Sequence, residues 1–152
     1  MGDAFVREIA LIGEENFCKL RRAHVAVFGI GGVGSYAAEA LVRAGIGSLT
    51  FVDGDAVAES NLNRQLIALR STLGRNKAAV MRERALDIAP DCRVEAVERF
   101  FCEETADAFD FSRFTYVADC IDRVKQKTLL IGSARAGGVP VISCMGAWNK
   151  LD

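Results

Sequence analysis

The chain has 152 residues, 51% hydrophobic and 26% charged, with 14 Gly and only 2 Pro, a composition that describes one folded domain and excludes a disordered or fibrous chain. Nineteen Lys and Arg against 20 Asp and Glu leave a formal charge of −1, so no overall basic field points to nucleic acid or membrane, and such a partner would be held by a local patch. Cysteines stand singly at Cys18, Cys92, Cys102, Cys120 and Cys144, and His24 is the single histidine, which excludes a structural zinc site and a histidine-based triad within the chain.

The start, MGDAFVREIA, lacks a basic stretch followed by an apolar one, and the longest apolar runs, 25–28 and 139–142, have the length of core strands. With unpaired thiols, these features predict a cytoplasmic protein. Apolar residues recurring every three or four predict short helices over 4–11 and 14–22, carrying Phe5, Ile9 and Ile12, then Phe17 and Leu20. His24–Phe28 reads as a buried strand running into Gly29-Ile-Gly31-Gly32-Val-Gly34. Residues 35–44 suit a helix that closes at a left-handed Gly45. A second strand over 49–52 ends at Asp53-Gly-Asp55, and the polar, Asn-rich stretch 57–69 reads as a loop with one turn of helix. After Gly74 a long helix runs to about Ile88, with Met81, Ala85 and Ile88 on one face, and Pro90 stops it. Strands are predicted at 93–97, 115–120 and 139–143, with 122–135 helical. Strands alternating with helices imply crossovers, and hence a Rossmann-like α/β fold with a mostly parallel, doubly wound sheet.

A strand feeding Gly29-x-Gly31-Gly32-x-Gly34 and then a helix has the makings of a phosphate cradle. Glycine lets the backbone turn and approach an anion, and free N–H groups at the positive helix end face it. The plainer reading is a tight turn. Asp53 follows 19 residues after Gly34 at a strand end, where an acidic side chain accepts ribose hydroxyls or simply forms a turn. These features serve NAD and ATP equally.

Further along come Asn61-Leu-Asn-Arg64-Gln65, Lys77 at the head of the long helix, and Asp119-Cys-Ile-Asp122 at a strand end. Hydride transfer has no use for this set. Cleavage between phosphates does, because charge grows on phosphoryl oxygens and is met by Arg, Lys and a divalent cation. Read singly, Arg64 is a surface arginine, Lys77 a solvated helix residue and Asp122 the N-cap of its helix; read together, they point to ATP chemistry with Mg²⁺ on Asp122. Cys144 has no base near it in sequence and reads as a structural thiol. Trp148 suits base stacking and sheet covering alike, and Arg21 and Arg22 read as a solvated helix end.

On these motifs the whole chain resembles the adenylation domain shared by ubiquitin-activating enzymes and their bacterial relatives in thiamine and molybdopterin synthesis. The motifs are the glycine loop, Asp53-Gly-Asp55, Ser60-Asn-Leu-Asn-Arg-Gln65, Gly74-Arg-Asn-Lys77 and Asp119-Cys-Ile-Asp122. The resemblance implies that Gly29, Gly31, Gly32 and Gly34 form the phosphate loop and that Asp53, with Asp55 beside it, binds ribose. It implies that Asn61, Arg64 and Gln65 contact the triphosphate, that Lys77 neutralises it, and that Asp122 holds Mg²⁺. It further implies a homodimer in which residues 1–22 pack at the interface and Arg7 reaches into the partner's ATP site. Residues 1–152 would then be the N-terminal part of a longer protein.

Gly13-Glu-Glu-Asn-Phe17, Val27-Phe-Gly-Ile-Gly-Gly-Val-Gly-Ser-Tyr36 and Gly146-Ala-Trp-Asn-Lys-Leu-Asp152 are similar to the tRNA threonylcarbamoyladenosine dehydratase subgroup. That similarity implies ATP-dependent adenylation of the threonyl carboxylate on a tRNA adenosine, then ring closure with loss of AMP, and partners in the cysteine desulfurase system. The nearest rival is adenylation of the C-terminus of a ubiquitin-like sulfur carrier. An NAD-binding protein and a non-catalytic binding half are the alternatives from other classes.

Overall fold

The computed structural model describes residues 3–144; Trp148 and the motif 146–152 lie outside the described residues. A 3-10 turn over Asp3–Phe5 leads into α1 (Val6–Ile12) and α2 (Glu14–Arg22). The domain then alternates β1 (His24–Phe28), α3 (Gly34–Arg43), β2 (Ser48–Val52), α4 (Lys77–Ile88), β3 (Arg93–Val97), β4 (Tyr116–Asp119), α5 (Val124–Ala136) and β5 (Val141–Ser143). The expected elements are present and shorter at several ends. The helix expected over 122–135 starts at Val124, and the 57–69 loop contains its single turn at Glu59–Asn61.

All four strand pairings are parallel, in the order β3-β2-β1-β4-β5. The two central strands explain their unbroken apolar runs, because every residue of β2 and all but His24 of β1 are buried. Side chains alternate between two cores. Val25 and Val27, with Leu49 and Phe51, face α3 and α4 and meet Ala38, Val42, Ala78, Met81 and Ala85. Ala26 and Phe28 face the other way onto Leu130 and Ala134 of α5 and the rings of Phe101, Phe111 and Phe114. Phe28 lies edge-on to Phe101, with ring centroids 5.3 Å apart. Gly45 follows α3 at φ 84°, the left-handed end expected of it.

This strand order fixes where a ligand can sit. From β1 the chain winds outward first through β2 and β3, then returns to place β4 on the other flank. The crevice opens where the two windings diverge, above the carboxyl ends of β1 and β4. No helix among the described residues is long and apolar enough to cross a membrane.

Candidate functional site

The carboxyl ends of all five strands converge on one cavity of about 420 Å³, a size that suits a nucleotide. The loop after β1 brings Gly29, Gly31 and Gly32, and the end of β2 brings Asp53 and Asp55. The end of β3 brings Arg99, Phe100 and Phe101; β4 leads into Cys120 and Asp122, and β5 into Cys144. Arg64, Gln65 and Lys77 complete the wall.

The glycines do different work. A Cβ on Gly34 would stand 1.7 Å from the Gly29 carbonyl oxygen, and one on Gly29, at φ 87°, would stand 2.8 Å from the Cys120 carbonyl oxygen. Both are demanded by the fold. At Gly31 and Gly32 a Cβ meets nothing closer than the Gln65 amide at 3.8 Å and the Arg64 Cγ at 3.7 Å, and neither has a positive φ. The fold leaves room for a side chain at these two positions, and that room faces the cavity. It suits an anion set close against backbone N–H groups.

Asp53 is buried. Its Oδ2 accepts the Ile30 N–H at 2.6 Å and its Oδ1 the Asp55 N–H at 2.8 Å, so one carboxylate ties the glycine loop to the end of β2. It forms the Asx turn of the plainer reading and also faces the cavity. Burial pushes its carboxyl above the usual aspartate range, against the pull of those two N–H donors and of Lys77. Asn76 holds the same corner: its Oδ1 caps α4 through the Ala79 N–H, while its Nδ2 donates to the Asp53 carbonyl at 3.0 Å.

Lys77 is buried and pairs with Asp55 Oδ2 at 3.0 Å; it is not the solvated helix residue of the single-residue reading, because the cap at Asn76 turns it inward. Arg64 is exposed and donates to the Ser60 carbonyl and to Asn63 Oδ1, which lays its stem beside Gly32. Gln65 is buried, and its Oε1 is the one buried side-chain polar atom without a partner among the described residues. An unpaired acceptor in a cavity wall is costly unless a donor arrives. Asn61 does not line the cavity. Its Oδ1 accepts the Ala58 N–H at 2.9 Å and its carbonyl receives the Arg64 and Gln65 N–H groups, so it shapes the turn that presents both.

The motif Asp119-Cys-Ile-Asp122 divides. Asp119 is fully buried and pairs with Lys127 Nζ at 2.8 Å, while Ser143 donates to the same carboxylate oxygen at 2.6 Å. Asp122 is exposed at the cavity. The residue preceding α5 is Arg123, with no side-chain cap, so Asp122 is not an N-cap. Among the described residues no group of three or more His, Cys, Asp or Glu could hold a metal ion; a Mg²⁺ on Asp122 would take its other ligands from phosphates and water, as that ion usually does. Arg7 is exposed on α1, away from this cavity.

Sequence reasoning passed over Phe100 and Phe101, Arg99 and Lys127. The paired phenylalanines come soon after the end of β3 at Val97, and an aromatic pair just past a strand end is the available signal; Gly54 lets Phe100 lie over it, since a Cβ there would meet the ring at 2.7 Å. Cys120 lines the floor, its thiol pushed up to about 12 by burial and the neighbouring Cys144.

A ThiF family model matches residues 5–149. The chain belongs to the ThiF family. This is the family its motifs resemble. The ThiF-family chain is 45% identical over 148 residues to the tRNA threonylcarbamoyladenosine dehydratase of Bacillus subtilis (strain 168), covering 97% of this chain and 58% of that protein. It is 43% identical over 142 residues to the dehydratase of Escherichia coli (strain K12), covering 93% and 53%. Its fold matches the crystal structure of E. coli tRNA N6-threonylcarbamoyladenosine dehydratase, TcdA, in complex with ATP, with a TM-score of 0.93 at 41% identity over 99% of this chain and 64% of that one. The chain thus spans little more than half the length of these curated relatives.

Proposed function

We propose that this chain is the nucleotide-binding part of a cytoplasmic tRNA threonylcarbamoyladenosine dehydratase, which uses ATP and Mg²⁺ to adenylate the threonyl carboxylate on a tRNA adenosine. The observation that carries the reading is the open face of Gly31 and Gly32 beside Arg64 and Lys77, with Asp122 across the same cavity. The similarity to dehydratases, one of them in complex with ATP, supports it.

In this reading the carboxylate of Asp53 accepts the ribose hydroxyls through its remaining lone pairs, and Phe100 flanks the base. The N–H groups around Gly31 and Gly32 hold the phosphates. Attack of a carboxylate on the α-phosphorus brings two anions together, and the bond to pyrophosphate then breaks. Arg64 and Lys77 lower the cost of both changes by meeting charge on the phosphoryl oxygens. Gln65 donates through its amide, and Asn61 holds the turn that aims both Arg64 and Gln65. Asp122 would hold Mg²⁺, which would supply further neutralisation of the phosphoryl charge. Ring closure on the acyl-adenylate is intramolecular and expels AMP, so it requires no enzyme thiol. The α1–α2 hairpin forms a homodimer contact in which Arg7 serves the partner's site, and the tRNA and desulfurase-system surfaces draw on the remainder of the full-length protein.

The test is a thermal-shift and calorimetric titration with ATP plus Mg²⁺ against NAD. Binding at a hundredfold excess over Kd stabilises the fold by about 2.7 kcal/mol. Stabilisation by ATP that disappears in Asp53→Ala supports the reading, and stabilisation by NAD alone overturns it. Release of AMP from ATP by the full-length protein with threonylcarbamoyladenosine-bearing tRNA, and not with a sulfur-carrier protein, separates the two adenylation substrates.

A further inference from the structure

We infer that Cys120 and Cys144 form a dithiol modification site, which a hydroperoxide converts into a disulfide joining the ends of β4 and β5 in the floor of the cavity. Three observations carry it. The parallel ladder pairs Val117 with Val141, Ala118 with Ile142 and Asp119 with Ser143, so the next position on each strand is a cysteine, and the Cys144 N–H continues the ladder to the Asp119 carbonyl at 2.9 Å. Neighbouring strands run about 4.8 Å apart, inside the Cα separations of roughly 4.4–6.8 Å that a disulfide spans. In-register neighbours of a parallel pair turn their side chains to the same face of the sheet, so the two thiols stand side by side. Both residues are half-buried and line the cavity, so a small oxidant reaches them by the path open to a nucleotide. Cys92, by contrast, is buried beside the Ile46 carbonyl at 3.2 Å.

The chemistry balances with the hydroperoxide as the only co-reactant. One thiol sulfur attacks the peroxide oxygen, the O–O bond breaks, and an alcohol or water leaves with the thiol proton, giving a sulfenic acid. The second sulfur then displaces the hydroxyl as water, forming S–S and breaking S–O. Two thiols are oxidised by two electrons in total and the peroxide is reduced.

The link reaches the glycine loop because Cys120 is its support. A Cβ on Gly34 would stand 3.1 Å from the Cys120 Cβ, and one on Gly29 would stand 2.8 Å from the Cys120 carbonyl oxygen. Drawing the two backbones into the geometry of an S–S bond shifts the Cys120 Cβ and carbonyl against which Gly34 and Gly29 pack. The consequence is an ATP affinity lower by about tenfold in the oxidised protein, corresponding to about 1.4 kcal/mol. This second effect rests on the ATP reading above; the disulfide does not.

The experiment treats reduced protein with hydrogen peroxide, blocks remaining thiols, digests with trypsin without reductant, and maps the peptides by mass spectrometry. The expected product is the peptide 114–123, which contains Cys120, joined to 136–150, which contains Cys144, with the loss of two hydrogens. It persists when Cys18, Cys92 and Cys102 are all replaced by Ser, and is absent in Cys144→Ser and in Cys120→Ser. Overoxidised thiols or mixed disulfides without that joined pair overturn the proposal. In parallel, calorimetry with ATP on oxidised and reduced protein is expected to show the tenfold loss, restored by reductant and missing in Cys144→Ser. A joined pair with unchanged ATP affinity overturns the coupling to the loop. Absence of ATP binding by the reduced protein overturns the nucleotide reading and leaves the mapping result standing.

Discussion

Lys77 and Asp55 pair at 3.0 Å across the mouth of the cavity, and the pair is lopsided: the lysine side chain is 7% exposed and the aspartate 56%. Without the lysine, Asp55 stays solvated, and buried Asp53 keeps the Ile30 and Asp55 N–H donors that act on it more strongly than Lys77 does. Lys77→Met is therefore expected to change stability by less than about 1 kcal/mol. In the proposed role the same substitution also removes a charge-assisted contact to phosphate worth about 1.5–3 kcal/mol, so ATP affinity should fall by roughly 10-fold to 150-fold. Urea denaturation and calorimetry on one preparation check both halves.

The two kinds of glycine in the loop give a paired test. Gly31→Ala adds a methyl with nothing nearer than 3.8 Å. The fold should lose no more than about 0.5 kcal/mol, while ATP binding drops by at least about tenfold because the methyl occupies the phosphate's approach. Gly34→Ala drives a methyl to 1.7 Å from the Gly29 carbonyl oxygen, and a loss of more than about 3 kcal/mol is expected with or without nucleotide. Equal stability losses in the two variants would remove the distinction between a ligand-facing and a fold-demanded glycine.

Two lysines on α5 differ in the same way. Lys127 donates to Asp119, Ser143 and the Cys144 carbonyl, tying α5 to the ends of β4 and β5. Lys127→Met leaves the fully buried Asp119 carboxylate without a cation, which costs about 3–5 kcal/mol. Lys125 pairs with Glu103 in the open, at 77% and 61% exposure, and Lys125→Met should cost less than about 1 kcal/mol. Comparison of denaturation midpoints decides.

His24 contributes a defined pH dependence. Its Nε2 contacts Thr50 Oγ1 at 2.9 Å and its ring stands edge-on to Phe114. Burial holds its pKa below the ordinary value, with Arg113 and Arg93 also disfavouring the cation and Glu95 opposing them. An unfolded histidine titrates near about 6.5. Below that pH the unfolded chain takes up a proton that the folded chain refuses, so stability falls as pH drops from about 6.5 toward the folded pKa. His24→Phe should flatten that part of the profile, and the single histidine ring signal in NMR should titrate below about 6.5.

Much of this molecule is legible in one dimension, for identifiable reasons. β1 is recognisable because a strand covered on both faces has no use for polar residues, and α4 because apolar positions recur on one face before Pro90. The glycine loop is recognisable because few other constraints put Gly at 29, 31, 32 and 34 between a strand and a helix. These are local signals, set by periodicity and backbone conformation within about a dozen residues.

The tertiary structure decided which of the chemistry-bearing residues share a wall. Sequence alone left Lys77 as either solvated or functional, and Asp122 as either cap or ligand. The fold removes the plainer reading of each: Lys77 is buried beside an Asn76 whose side chain also reaches the Asp53 carbonyl, and α5 begins two residues after Asp122, which therefore does not cap it. It likewise divided Asn61 from Arg64, buried Asp119 against Lys127, and set Cys120 beside Cys144. The first is decided within one turn, but the last two depend on the parallel β4–β5 pairing and on the return of α5 across it, which bring positions 8 and 24 residues apart together with no local pattern to announce it.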